Sequence, residues 1–407
     1  MASKDLGRLF GLLRTFEHQK GIKLFDELAK DPANAAPILD ELLLVASNHH
    51  DPQLHTPHGG LTVQSARELL RLTRPPGGLG LLRFLILYNF SLQKRVLTPE
   101  QARESALAVP PGALEDMRAA YAKAVAGRLG DQAAALLNRI ALDRGIEAAG
   151  HLAIRVALSD LGRLGHNLSL AVSFVEAAAA LRIPRGLVPL ANLAHVQSLA
   201  LAGARPVEIP ELQDRGEGEA DVALLEDLVQ EGVFDRVEAV LRALAFEAEA
   251  DEAYRPLLIA ASADPGFLGH TASLAHSARM ATRYLTPSEN AWLLWKLYRT
   301  LVTHFGYPEF LRLGEPKTRD SEAIFAAFES SLRYKSPPAE ATVRQALEAG
   351  VPLEEILAAV VDFYGNWSVG EKEHTIIYLN AALQTAKFLG RDSALLPLAI
   401  ALSKLPF

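Results

Sequence analysis

The chain contains no cysteine among its 407 residues. Disulfides, thiolate zinc sites, cysteine-ligated iron–sulfur clusters and a cysteine nucleophile are therefore excluded. Residues 1–30 mix acidic and basic side chains and lack the uninterrupted apolar core of a signal peptide. Because a cysteine-free chain is compatible with a reducing compartment, we expect a cytoplasmic protein.

Basic charge, aromatic residues and long apolar runs are also scarce. The net charge is −7 and aromatics make up 7% of the residues, so no basic, aromatic-interleaved stretch indicates nucleic-acid binding. The apolar runs are too short or too polar to cross a bilayer. The sequence has no P-loop, dinucleotide fingerprint, HExxH motif, EF-hand loop or GxSxG elbow. We therefore expect neither a nucleic-acid partner nor a membrane.

Apolar residues are abundant, at 49%, and they recur at spacings of three and four along almost the whole chain. This period is typical of amphipathic helices, and no stretch alternates for long enough to indicate a sheet. A chain of this length also exceeds one ordinary hydrophobic core. The sequence predicts an all-α protein with several core units.

Four histidines mark an internal repeat. Their sequence numbers differ by 108, 104 and 104, and each precedes a helix rich in small residues. The four segments are PHGGLTVQSARELLRL from Pro57, GHNLSLAVSFVEAAAALRI from Gly165, GHTASLAHSARMATRYL from Gly269 and EHTIIYLNAALQTAKFLG from Glu373. A second apolar helix follows each one, and further helices precede it. Even spacing with matching flanks indicates duplication of one unit.

Polar connectors at 205–221 and 311–322 separate the later units. We therefore predict four tandem pseudo-repeats of about five helices each, forming an α/α repeat array that is either closed or solenoid-like. The predicted units are residues 1–106, 107–212, 213–317 and 318–407.

The repeated histidines are His58, His166, His270 and His374. A helix start carries free N–H groups and a partial positive charge, which favours the neutral imidazole that ligates metals and acts as a general base. We predict these four as catalytic residues and metal ligands, with Tyr378, one turn after His374, as a hydrogen-bond donor. The alternative is that each histidine caps its helix and recurs because the unit was duplicated.

A second histidine cluster lies in NHHDPQLHTPHGG, which begins at Asn48. Imidazole and carboxylate groups suit transition metals such as iron or zinc, so His50, His55 and His58 are further candidate ligands. The spacing matches no standard metal signature, and a solvated polar loop is the alternative interpretation.

The chain resembles the questin oxidase-like family of helical proteins in two motifs. One is ASNHHDPQLHTPHGGLTVQSARELL at 46–70, and the other is the recurring Gly-His before a small-residue helix, as at Gly165 and Gly269. The resemblance implies oxidative activity on an organic substrate, of Baeyer–Villiger type. It also implies that the site is built on His50, His55 and His58.

Two hypotheses for function follow. In the first, the protein is an oxidoreductase with a histidine-lined, metal-dependent site for an organic small molecule. In the second, it is a non-catalytic helical-repeat scaffold that binds a protein partner. Histidines that come together favour the first hypothesis, and histidines spread along an array favour the second.

Overall fold

The computed structural model describes most of the chain, and the structural statements below refer to that part. The described residues are 2–15, 17–49, 57–73, 77–92, 97–161, 163–204, 208–212, 214, 216–247, 250–305, 312–315, 320–334, 338–366 and 372–404. Within these ranges the protein is helical and contains no strand. The predicted all-α class is confirmed. None of the helices found there combines the length and apolar character needed to cross a membrane.

Two compact units make up the chain. The first comprises Met1–Arg67 and Leu79–Glu208, and the second comprises Glu68–Gly78 and Ile209–Phe407. The boundary after Glu208 lies inside the polar connector at 205–221. The segment Glu68–Gly78 departs from sequence order, because it belongs to the second unit although the residues on both sides of it belong to the first.

The first unit contains the helices up to residue 200. They are α1 Ala2–Thr15, α2 His18–Leu28, α3 Ala35–Ala46, α4 His58–Leu70, α5 Leu79–Ser91, α6 Pro99–Leu107, α7 Leu114–Ala126, α8 Gly130–Arg144, α9 Ile146–Ala157, α10 His166–Leu181 and α11 Leu187–Ala200. The last turn of α4, from Glu68 onward, is part of the second unit.

Helix α8 lies at the centre of the first unit, packed on α11, α7, α9 and α6. Its inner face is apolar, and Leu137 and Ile140 are fully buried. Polar groups inside this core are matched by hydrogen bonds. Tyr121 donates to the side-chain oxygen of Gln197 (2.5 Å), and the Gln197 amide nitrogen donates to the carbonyl of Ala153 (2.8 Å). These bonds connect α7, α11 and α9 and satisfy polar atoms that would otherwise be costly to bury.

The second unit contains the remaining helices. They are α12 Val222–Glu231, α13 Val237–Ala245, α14 Tyr254–Ala263, α15 His270–Ala281, α16 Pro287–Phe305, α17 Ser321–Tyr334, α18 Ala339–Glu348, α19 Leu353–Asn366, α20 Lys372–Leu389 and α21 Leu395–Lys404. Helix α14 packs on α15, α16, α20 and α21, and α15 packs along α20. Tyr254, which is fully buried, donates to the side-chain oxygen of Asn290 (2.7 Å) and so connects α14 with α16.

Candidate functional site

The helix starts at His166 and His270 share an unusual local backbone. A short 3₁₀ turn precedes each helix, and in both turns a leucine and then a glycine adopt left-handed conformations: Leu164 (φ 61°) with Gly165 (φ 81°), and Leu268 (φ 52°) with Gly269 (φ 79°). A left-handed leucine is strained, whereas glycine adopts this conformation readily. In both cases a left-handed leucine and a left-handed glycine place a histidine at the first position of the helix.

One backbone hydrogen bond closes each of these turns. The N–H of Asn167 donates to the carbonyl of Leu161 (3.1 Å), and the N–H of Thr271 donates to the carbonyl of Pro265 (2.9 Å). Both bonds span six residues and use the residue directly after the histidine. His58 likewise is the first residue of α4, whereas His374 is the third residue of α20.

In the first unit, His58 and His166 are in ring contact. Their ring centroids are 5.4 Å apart at an interplanar angle of 82°, and a ring nitrogen of each lies within 4.8 Å of the other's. His58 is buried, with 8% of its surface exposed, and His166 is half-buried. Two residues that are 108 positions apart in sequence thus meet through the first turns of α4 and α10.

In the second unit, His270 and His374 make the equivalent contact. Their ring centroids are 5.1 Å apart at an angle of 53°. The backbone also orients the imidazole of His270, because His270 Nδ1 donates to the Phe267 carbonyl (2.5 Å). The Phe267 ring stacks on His270 and is 70% exposed.

The hydrogen bond from His270 Nδ1 defines the tautomer of the neutral ring. Since a carbonyl oxygen only accepts, Nδ1 carries the proton and Nε2 of the neutral ring keeps its lone pair. Metal-binding histidines are commonly held in this way, by a bond from the second ring nitrogen to a backbone carbonyl or a carboxylate. His270 therefore has the tautomer that a metal ligand requires.

Each histidine pair also has a separation that suits a shared metal ion. With metal–nitrogen bonds of about 2.0–2.1 Å and a tetrahedral angle, two imidazoles on one ion have ring centroids about 5 Å apart. The observed 5.4 Å and 5.1 Å are close to this value. Small rotations of the rings would bring two nitrogens onto one ion.

Helix capping in the first unit uses a different histidine from those expected. The Nδ1 of His49 accepts the N–H of Gly59, the second residue of α4, at 3.0 Å. This bond satisfies one of the free N–H groups at the helix start. Glycine is required there, because a Cβ on Gly59 would lie 2.8 Å from the Cβ of His49. The candidate ligands His50 and His55 lie outside the described residues.

Tyr378 is buried on α20 beside the start of α15. A Cβ added to Gly269 would lie 2.4–2.6 Å from the Tyr378 side chain, so this ring packs directly on the glycine backbone. Burial raises the pKa of Tyr378 above its ordinary value, and burial together with Tyr378 does the same for the pKa of Tyr364. Both hydroxyls therefore stay protonated at neutral pH and do not act as phenolates.

A second polar cluster in the second unit was not predicted from the sequence. The carboxylate of Glu68 contacts His276 on α15 and Asn380 on α20. The sequence contains one signal for it, because His276 follows His270 by six residues and Asn380 follows His374 by six. Repeat-equivalent positions thus carry polar side chains that meet at one carboxylate.

Comparison with known proteins gives this chain no relative. No family model matches it, and neither the curated proteins nor the solved structures contain a match.

Proposed function

We propose that the protein is a metal-dependent oxidoreductase that acts on an organic small molecule, with the repeated histidines as metal ligands. The observation that carries this proposal is their pairing. His58 contacts His166 inside the first unit, and His270 contacts His374 inside the second. A histidine retained only as a helix cap would have no reason to meet its counterpart from the next repeat.

The proposal includes the fourfold repeat. Its support is the identical junction at His166 and His270, where a left-handed leucine and glycine and a six-residue hydrogen bond recur. Two repeats per unit would place one histidine pair in each unit. The closed or solenoid-like arrangement of the four repeats is part of the same proposal, as are a cytoplasmic location and a small-molecule substrate rather than a nucleic acid.

Imidazole nitrogens suit iron, zinc and related transition metals. A bound iron would supply the redox chemistry of the reaction, whereas zinc would supply Lewis acidity only. The residues of the chain would hold and orient the centre. The bond from His270 Nδ1 to the Phe267 carbonyl fixes one ring, and the protonated Tyr378 hydroxyl is suited to donating a hydrogen bond near the start of α20.

Metal analysis of the purified protein tests the proposal. We expect iron or another transition metal by plasma mass spectrometry, and a loss of about half of it when His58 and His166 are both replaced by alanine. Replacing His270 and His374 should remove the other half. His18→Ala is the matched control, because His18 is exposed and makes an edge-to-face contact with Phe90 on the surface.

Activity is tested by dioxygen uptake with a panel of ketones and phenols. We expect uptake that depends on the metal and is lost in both double variants but not in His18→Ala. If the purified protein binds no transition metal and the four alanine substitutions change nothing, the oxidoreductase proposal is wrong. The helical-repeat scaffold would then be the better hypothesis, to be tested by the capture of a protein partner.

A further inference from the structure

A buried carboxylate organises a polar cluster where α15 and α20 pack together. Glu68 Oε2 accepts a hydrogen bond from Asn380 Nδ2 at 2.6 Å and lies 3.3 Å from His276 Nε2. The backbone carbonyl of the same residue accepts from Gln384 Nε2 at 3.3 Å. Three side chains from two helices of the second unit therefore bind one residue at the end of α4.

These groups are shielded from water. His276 is 8% exposed and Asn380 is 3% exposed. The charge of Glu68 has a counterpart in Arg279, a mostly buried guanidinium that Glu68 and Asp251 stabilise electrostatically. The cluster is thus largely shielded from water, and in such surroundings each polar atom needs a hydrogen-bond partner.

Two atoms of the cluster lack such a partner among the described residues. They are His276 Nδ1 and Asn380 Oδ1, both fully buried. When Nε2 donates to the carboxylate, Nδ1 of the neutral imidazole tautomer is an acceptor. The orientation of Asn380 follows from the same carboxylate, since a reversed amide would place Oδ1 against a negative charge. His276 and Asn380 therefore present two acceptors and no unpartnered donor.

We propose that His276 and Asn380, oriented by Glu68, form a second ligand site that binds a neutral hydroxyl compound through its O–H group. A ligand that donates hydrogen bonds satisfies the two acceptors. An anion would be repelled by the Glu68 carboxylate and would find no unpartnered N–H on His276 or Asn380. We do not assign a metal ion to this site, because no candidate metal-binding group in the described part of the chain contains His276.

The site is separate from the histidine pair on the same two helices. His276 follows His270 by six residues, and Asn380 follows His374 by six residues. At a rise of 1.5 Å per residue, the two positions are displaced by about 9 Å along α15 and α20. The second site thus needs no metal, and its success or failure is independent of the proposed oxidoreductase activity.

Phenol and anisole are a matched pair of probes for this site. They have similar rings, but only phenol has an O–H donor. We expect saturable binding of phenol in ligand-observed NMR, and binding of anisole at least about tenfold weaker, because one hydrogen bond to a buried acceptor accounts for about that factor. The same result is expected after the protein has been dialysed against a chelator.

His276→Leu and Asn380→Leu should each weaken phenol binding by about tenfold or more. Ser262→Ala is the control, because Ser262 is equally buried in the second unit but bonds only to Leu258 in its own helix. We expect this variant to bind phenol like the unchanged protein. Circular dichroism and melting temperature show whether each variant is folded.

A measurement on the protein without substitutions does not depend on whether the variants fold. Two-bond proton–nitrogen spectra of labelled protein report the state of each imidazole nitrogen, and phenol should shift the His276 Nδ1 resonance but not that of His151 in the first unit. Absence of phenol binding would overturn the proposal. So would equal binding of phenol and anisole, undiminished binding in the folded leucine variants, or an Nδ1 resonance that phenol leaves unchanged.

Discussion

Gly269 offers the sharpest test of how the second unit positions its histidine pair. The residue combines a left-handed backbone (φ 79°) with direct packing against Tyr378. Gly269→Ala therefore meets two penalties at once. A left-handed non-glycine residue costs about 1–2 kcal/mol, and forcing a methyl group into a packed contact costs about 1–3 kcal/mol. We expect a loss of about 2–5 kcal/mol in the free energy of unfolding.

The contact cannot relax cheaply. The atoms that a Cβ would meet are Cβ, Cγ and Cδ2 of Tyr378, which form the base of the side chain and not its flexible end. Gly390→Ala is the matched control, because Gly390 lies in the same unit, has a similar φ of 74° and has no atom within 4 Å of the added Cβ. That variant should show the backbone penalty alone, about 1–2 kcal/mol.

Tryptophan fluorescence is the assay, because all three tryptophans of the chain lie in the second unit. Unfolding in urea then reports the unit that contains Gly269. For a unit of this size, about 2–5 kcal/mol corresponds to a decrease in melting temperature on the order of 10 °C. Gly269→Ala combined with Tyr378→Gly should cost less than the sum of the two single changes, because glycine at position 378 removes all three clashing atoms, Cβ included. Strict additivity, or a Gly269→Ala penalty no larger than that of Gly390→Ala, would refute the packing argument.

Three further predictions concern a buried hydrogen bond in the first unit, the cap of α4 and the ionisation of Tyr378. Tyr121→Phe should cost about 1–3 kcal/mol, because it leaves the buried oxygen of Gln197 without its donor, and urea unfolding followed by circular dichroism measures the loss. His49→Ala should cost about 1 kcal/mol by removing a helix cap, and the same assay should show no effect for the exposed control His18→Ala. Burial raises the pKa of Tyr378, so stability should be constant below the unfolded tyrosine pKa of about 10 and should fall as the pH rises above it; urea midpoints that stay constant up to pH 12 would contradict this.

The helical class could be predicted because it depends on local information. Apolar residues at spacings of three and four specify helices in any tertiary context, and glycine or proline marks their ends. The helix that begins at His166 illustrates this, since Gly165 directly precedes it in the left-handed conformation. The sequence also predicts that His270 opens a helix, and in the structure α15 begins at His270 directly after the left-handed Gly269.

The neighbours of each histidine could not be predicted in the same way. Which helices pack together depends on the loops that connect them and on the combined shape of many side chains. The contact between His58 and His166 therefore could not be predicted from the sequence. The cap of α4 shows a related difficulty. Capping was expected from the histidine that opens the helix, but the acceptor nitrogen belongs to His49, which precedes it by nine residues.

The second polar cluster could not be predicted from the repeat pattern, because its residues differ between corresponding positions of the predicted repeats. The position six residues after each repeated histidine holds Gln64, Val172, His276 and Asn380 in turn. In the first unit this position includes a buried valine, which has no polar atom to offer, whereas in the second unit both residues are polar and both contact Glu68. Each unit thus contains a histidine pair, whereas the residues six positions further along the helices differ between the units. If the pairs hold metal and the cluster binds a hydroxyl compound, His276→Leu should weaken phenol binding by about tenfold or more and leave the metal content of the chain unchanged.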